Sequence, residues 1–158
     1  MRYAYINTCD ICNGSYFGVS LFVQGCHFHC KNCFNKSTWD FNGGKEYTEQ
    51  TMEHILDLLN RPYIKRFTLL GGEPLAPENI EMSKEILKTV KNKYPDIEIW
   101  LFTGYEKDNI IDKSILVYAD VLVDGQYRDE LRDLSLAFRG SSNQNIYKKE
   151  NCNWQKIT

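Results

Sequence analysis

Five of the six cysteines in this 158-residue chain fall within its first 33 residues, at positions 9, 12, 26, 30 and 33, and Cys152 stands apart near the end. Cys26, Cys30 and Cys33 supply three thiols in eight residues, close enough for one loop to wrap a single inorganic cluster. A [4Fe–4S] cube usually takes four cysteines, so a loop that offers three leaves one iron without a protein ligand and free to bind a small molecule. Such an iron is a reaction site. Zinc competes on spacing alone: Cys9-x-x-Cys12, seventeen residues, then Cys30-x-x-Cys33 fits the four-cysteine template. That assignment leaves Cys26 unused and gives no purpose to Gly71-Gly72-Glu73-Pro74. On the cysteines alone the two are even; the downstream loops favour the cluster. Cys9 and Cys12 then read as buried small hydrophobes or incidental thiols, and Cys152 as an incidental thiol. His27 and His29 are assigned no ligand role.

The elements that must position this loop alternate along the chain. Residues 20–24 read as a short buried strand running straight into the cysteines. Thr48 is a candidate N-cap for a helix with Met52, Ile55, Leu56 and Leu59 on one face, stopped by Pro62. Residues 67–70 form the next expected strand, and they lead into Gly71-Gly72-Glu73-Pro74. A second amphipathic helix follows, carrying Met82, Ile86, Leu87 and Val90 and ending before Pro95. Residues 97–102 are a third strand leading to Thr103-Gly104-Tyr105. A polar, helical stretch comes next, then a strand over 121–123 ending in Asp124-Gly125. Strand, glycine-bearing loop and helix in repetition predict an α/β protein with a mainly parallel sheet, in which ligands bind beyond the carboxyl ends of the strands. Four loops then converge on one site. Five or six strands are too few for a complete eight-unit barrel of ~250 residues, so the expectation is a partial (β/α) barrel. The whole of 1–158 is expected to form one domain.

Composition narrows the partners. Nineteen Lys and Arg against 21 Asp and Glu give a net charge of −2, with no basic excess to neutralise phosphates. Nucleic acid is therefore not an expected partner. The longest apolar run, residues 115–119, is far short of the ~20 residues that span a bilayer, and the first ten residues do not resemble a secretory signal. No membrane association is expected, and the cytoplasm is the expected compartment.

The pattern Cys-x-x-x-Cys-x-x-Cys followed some forty residues later by Gly-Gly-Glu-Pro resembles the radical S-adenosylmethionine superfamily. Four further segments sharpen the likeness: Cys-Phe-Asn-Lys-Ser-Thr-Trp at 33–39, Trp-Leu-Phe-Thr-Gly-Tyr at 100–105, Asp-Val-Leu-Val-Asp-Gly at 120–125 and Arg-Gly-Ser-Ser-Asn-Gln at 139–144. Together they resemble the activating enzymes of the anaerobic (class III) ribonucleoside-triphosphate reductase, over nearly the whole chain. One departure stands out. Many superfamily members place an aromatic residue just before the third cysteine, where this chain has Asn32 and carries Phe34 after it instead.

The resemblance implies that Cys26, Cys30 and Cys33 hold three irons of a [4Fe–4S] cluster, the fourth being chelated by the amino and carboxylate groups of S-adenosylmethionine. It implies further contacts to that cofactor from Asn32, Cys33 and Phe34 near the adenine, and from Gly71, Gly72 and Glu73 at the methionine moiety. Thr103, Gly104 and Asp124 are candidate contacts to the ribose or carboxylate, although turn chemistry explains them nearly as well. The implied reaction is one-electron cleavage to methionine and a 5′-deoxyadenosyl radical, which takes a hydrogen atom from a glycine of the large reductase subunit. A reductant protein such as flavodoxin is the implied electron source. Two rivals remain: a small-molecule enzyme of the same superfamily, such as a deazapurine synthase, and a non-catalytic structural zinc protein.

Overall fold

In the computed structural model, which describes residues 1–158, eight strands form one sheet and two helices cover it. The strands are β1 (Arg2–Asp10), β2 (Gly18–Val23), β3 (Lys45–Glu46), β4 (Arg66–Gly71), β5 (Glu98–Phe102), β6 (Val121–Asp124), β7 (Asn145–Glu150) and β8 (Asn153–Lys156). The helices are α1 (Glu49–Leu59) and α2 (Ile80–Lys93), and the sheet order is β3-β1-β2-β4-β5-β6-β7-β8.

The centre of the sheet matches expectation and its flanks do not. β2, β4, β5 and β6 pair in parallel, each within two residues of the strand read from hydrophobic pattern. β1 returns antiparallel against β2 and carries β3, while β7 and β8 add an antiparallel hairpin beyond β6. Three parallel pairings against four antiparallel ones make the sheet mixed, not mainly parallel. It is also open, with β3 and β8 as edges, and the pairings give no barrel-like closure. The cause is local: strands joined by short loops fold back on one another, whereas parallel pairing needs a long crossover such as α1 or α2. The polar stretch after Tyr105 is a further correction. It forms two short 3₁₀ turns, Lys107–Asn109 and Lys113–Val117, the second begun by the Asp112 carboxylate accepting from the Ser114 N–H at 2.9 Å.

Period-two alternation divides the sheet into two faces. Val19, Leu21, Leu69, Ile99, Leu101 and Leu122 point to one side, where they bury Ile55, Leu58 and Leu59 of α1 and Ile86, Leu87 and Val90 of α2 in a single core. At about 1.5–3 kcal/mol per fully buried aliphatic side chain, this cluster is the main source of stability. Phe22, Leu70, Trp100, Phe102 and Val123 alternate with them and point to the other side, which no helix covers. At the amino ends of the strands that second face is closed by residues 11–17. They are held by Arg66, whose guanidinium is fully buried and donates to the carbonyls of Asp10 at 2.8 Å, Asn13 at 2.7 Å and Ser15 at 2.9 Å. It also donates to the Thr68 hydroxyl and lies 3.5 Å from the Asp10 carboxylate. Burial alone would raise the Asp10 pKa, but hydrogen bonds from Ser20, the Cys12 N–H and Asn13, with the Arg66 charge, hold it below the ordinary carboxylate range. No helix in the chain is long and apolar enough to cross a membrane.

Candidate functional site

With the amino end of the second face closed, its carboxyl end opens into a cavity of about 850 Å³. All three loop thiols, Cys26, Cys30 and Cys33, line it, with Phe34, Gly71, Gly72, Glu73, Thr103 and Gly104. Asn32 and Asp124 lie outside the lining. Asn32 instead donates through its amide to Asp129 at 2.8 Å. Asp124 accepts from the Lys107 N–H at 2.7 Å and from the Asn145 amide at 2.9 Å, so both its carboxylate oxygens are engaged within the fold.

The cysteine loop is fastened by backbone at its root. The Gly25 N–H donates to Thr38 O at 2.8 Å and the Cys26 N–H to Trp39 O at 3.0 Å, which closes residues 25–39 into a ring. From the next strand, the Gly72 N–H donates to Val23 O at 2.9 Å and the Glu73 N–H to Gly25 O at 2.7 Å. Within the ring, His29 and Asn32 adopt positive φ (47° and 55°), a left-handed conformation that Asn tolerates better than most residues. The His29 ring stacks on Trp39, and His27 pairs with Glu78 at 2.9 Å, facing solvent. Two thiols already accept hydrogen bonds, Cys33 from the Asn35 N–H and Cys30 from the Gln126 amide, each at 3.4 Å.

Burial pushes the Cys26 thiol up to about 11 and raises Cys30 as well. Without metal these two stay protonated at neutral pH, so loading releases protons. No three His, Cys, Asp or Glu side chains stand close enough to hold one metal ion. The four-thiol zinc set is not assembled: Cys12 lines the cavity, whereas Cys9 does not. Both are exposed, which overturns their reading as buried hydrophobes and leaves that of incidental thiols; Cys152 is exposed too.

Glycine is required at the end of β4. Gly71 has φ +112°, and a Cβ there would stand 2.7 Å from Val23 N and 2.8 Å from Phe22 Cα. At Gly72 a Cβ would press on the Gly25 carbonyl and lie 2.9 Å from Thr38 O. Gly71→Ala is therefore expected to cost about 2–4 kcal/mol, combining backbone strain with overpacking. Urea unfolding checks this, and a loss under 1 kcal/mol would contradict it.

Glu73 is fully buried and ties two loops together. One carboxylate oxygen accepts from the Leu75 N–H at 2.9 Å and the Thr103 hydroxyl at 2.7 Å; the other accepts from the Gly104 N–H at 2.7 Å. Burial outweighs these three donors and raises its pKa to about 7. A carboxyl whose pKa rises from 4.5 to about 7 on folding stabilises the fold fully below pH 4.5, and that contribution is lost as pH climbs to 7. The loss amounts to roughly 3 kcal/mol. Glu73→Gln removes this titration, so its stability relative to wild type should improve by about that amount between pH 5 and pH 8. An unchanged difference across that range would refute the assignment.

Residues 12–147 match a family model described as a 4Fe-4S single cluster domain. Over 155 residues the chain is 38% identical to the anaerobic ribonucleoside-triphosphate reductase-activating protein of Enterobacteria phage T4, covering 98% of this chain and 99% of that protein. The chain belongs to the anaerobic ribonucleoside-triphosphate reductase-activating protein family. The family member of Pasteurella multocida is 40% identical over 154 residues (94% of this chain, 98% of that one), and that of Escherichia coli K12 is 38% identical over 151 (93% and 98%).

In this family member the structure also brings into the cavity wall residues outside the candidate contacts named from the sequence. Tyr5, Phe22, Phe28 and Phe102 make much of the wall, and Arg139 is the one cation in it. The Arg139 Nε is buried without a partner, while its Nη1 donates to Gln144 O at 3.2 Å. Phe22 and Phe102 sit on strands that were recognised; only the parity of the sheet says that they face the cavity. Phe34, after the third cysteine, packs on Tyr127 with ring centroids 5.4 Å apart, placing an aromatic on the far side of Cys33 from its usual place.

Proposed function

We propose that this chain is an activating enzyme that holds a [4Fe–4S] cluster on Cys26, Cys30 and Cys33, binds S-adenosylmethionine at the remaining iron, and installs a glycyl radical on the anaerobic ribonucleotide reductase. One observation carries the proposal: three thiols of one loop, with no fourth cysteine in that loop, line one cavity together with Gly71, Gly72 and Glu73. The donor set fits the group, being soft, incomplete by one ligand and partly shielded from solvent. When bound on Cys26, Cys30 and Cys33, a reduced cluster would supply one electron to the sulfonium, the chemistry that would split off methionine and allow a hydrogen atom to be taken from a glycine Cα of the reductase.

The chain's own residues bind and orient. Gly71 and Gly72 present bare backbone to the methionine moiety, while Glu73 holds Thr103 and Gly104 at the ribose side of the cavity. Cys33 and Phe34 approach the adenine, with Phe34 as the stacking ring. Asp124 acts through the turn it anchors at Gly125. The apolar wall excludes water from the reacting centre. A backbone glycine as substrate demands an open mouth, and the second face is left uncovered by helices. The large reductase subunit is the partner, a reductant protein such as flavodoxin is the electron source, and the cytoplasm is the compartment.

Anaerobic protein should be brown, contain about four irons per chain, and give a glycyl radical doublet by electron paramagnetic resonance when reduced and mixed with S-adenosylmethionine and the reductase. 5′-Deoxyadenosine without the doublet would favour a small-molecule substrate. A colourless protein with stoichiometric zinc would reject the cluster.

A further inference from the structure

The segment 139–144, Arg-Gly-Ser-Ser-Asn-Gln, is used by none of the steps above, yet it forms a closed turn. The Gln144 side-chain oxygen accepts from the N–H groups of Gly140 at 2.9 Å and Ser141 at 3.1 Å, and Arg139 Nη1 donates to Gln144 O at 3.2 Å. The turn then grips the residues that follow β6. Gln144 Nε2 donates to Gly125 O at 3.0 Å and Asn143 Nδ2 to Gln126 O at 2.8 Å. What it holds in place is Gln126, whose Nε2 donates to the Cys30 sulfur at 3.4 Å. The Asn32–Asp129 hydrogen bond and the Phe34–Tyr127 contact tie the same two segments together on either side.

We propose that Gln126 is a positioning residue that sets the reduction potential of the cluster by hydrogen-bonding the Cys30 thiolate, and that the 139–144 turn serves to hold it there; this rests on the cluster assignment above. An N–H directed at a ligand sulfur stabilises the more negative, reduced state over the oxidised one, and hydrogen bonds to sulfur are among the factors that set cluster potentials. A neutral amide does this without adding charge to a cavity that must also admit a cation. The amide and the sulfur belong to segments 96 residues apart in sequence, so the bond also reports whether the turn is docked.

The test uses anaerobically reconstituted full-length protein. Gln126→Leu should keep about four irons per chain, while the ratio of reduced to oxidised cluster at a fixed solution potential falls roughly three- to tenfold. Independently of any variant, wild type labelled with ¹⁵N-glutamine and reduced should show a ¹⁵N coupling in pulsed electron paramagnetic resonance. A Gln126→Leu protein with full iron and an unchanged potential overturns the proposal. So does a fully loaded wild type lacking the ¹⁵N coupling, a readout that stands even where the variant fails to assemble. A wild type that binds no iron overturns the cluster assignment itself, and this inference with it.

Discussion

Alanine at Cys26, Cys30 or Cys33, each singly, is expected to strip most of the iron and to bring glycyl radical formation on the reductase down to background, a loss of at least about 100-fold. Disturbing groups that merely support a metal ligand typically costs 10–100-fold in affinity or activity, and removing a ligand costs more. The three thiols are not redundant, because each is placed differently: Cys26 is buried at the root of the loop, Cys30 faces Gln126, and Cys33 accepts from the Asn35 N–H. Cys9→Ala and Cys152→Ala serve as controls, both being exposed thiols outside the cavity lining. Iron and sulfide analysis of the five anaerobic proteins, with the radical doublet as the second readout, decides the matter. Retention of full iron in any one of the three loop variants would remove that cysteine from the ligand set.

The second large effect lies at the other end of the strands. Arg66→Ala removes a fully buried guanidinium that satisfies three backbone carbonyls of residues 10–15 and faces a buried carboxylate. Breaking a buried ion pair from one side costs about 3–5 kcal/mol, because the remaining charge is left without compensation. That is a large fraction of the 5–15 kcal/mol by which domains are usually stable. Urea unfolding of the metal-free protein should show it, and Asp10→Asn added to Arg66→Ala should recover part of the loss by removing the stranded charge. A single-variant loss below about 1 kcal/mol would mean that water enters and replaces the guanidinium. Because residues 12 and 13 line the cavity, the same variant should also weaken cluster retention at a distance from the ligands.

The centre of this protein could be read directly from its residues, and its margins could not. β2, β4, β5 and β6 are dense runs of apolar side chains ending at glycine-bearing loops, and α1 and α2 carry clear stripes. β1 hides because its register shifts twice, between Tyr3 and Tyr5 and between Asn7 and Asp10, which breaks the alternation that would announce a strand. The β7–β8 hairpin hides because its two-residue turn is Asn151-Cys152, both at positive φ (47° and 66°), where the recognisable signal is Asn-Gly. At the site, all four strand-end loops reach the cavity, but side-chain direction is not always recoverable from sequence. Asp124 lies two residues beyond Leu122 and so shares the helix-covered face, which takes its carboxylate away from the cavity. Gln126 has no sequence signature, since its contact depends on a turn that starts thirteen residues later.

The ring that backbone hydrogen bonds close between Gly25–Cys26 and Thr38–Trp39 separates the history of the polypeptide from that of its metal. A small zinc module collapses when its ion is chelated, because the ion supplies the folding energy. Here a core of aliphatic side chains lies on the opposite side of the sheet and owes nothing to iron. The polypeptide is therefore expected to fold before any cluster is inserted and to keep its fold when one is removed.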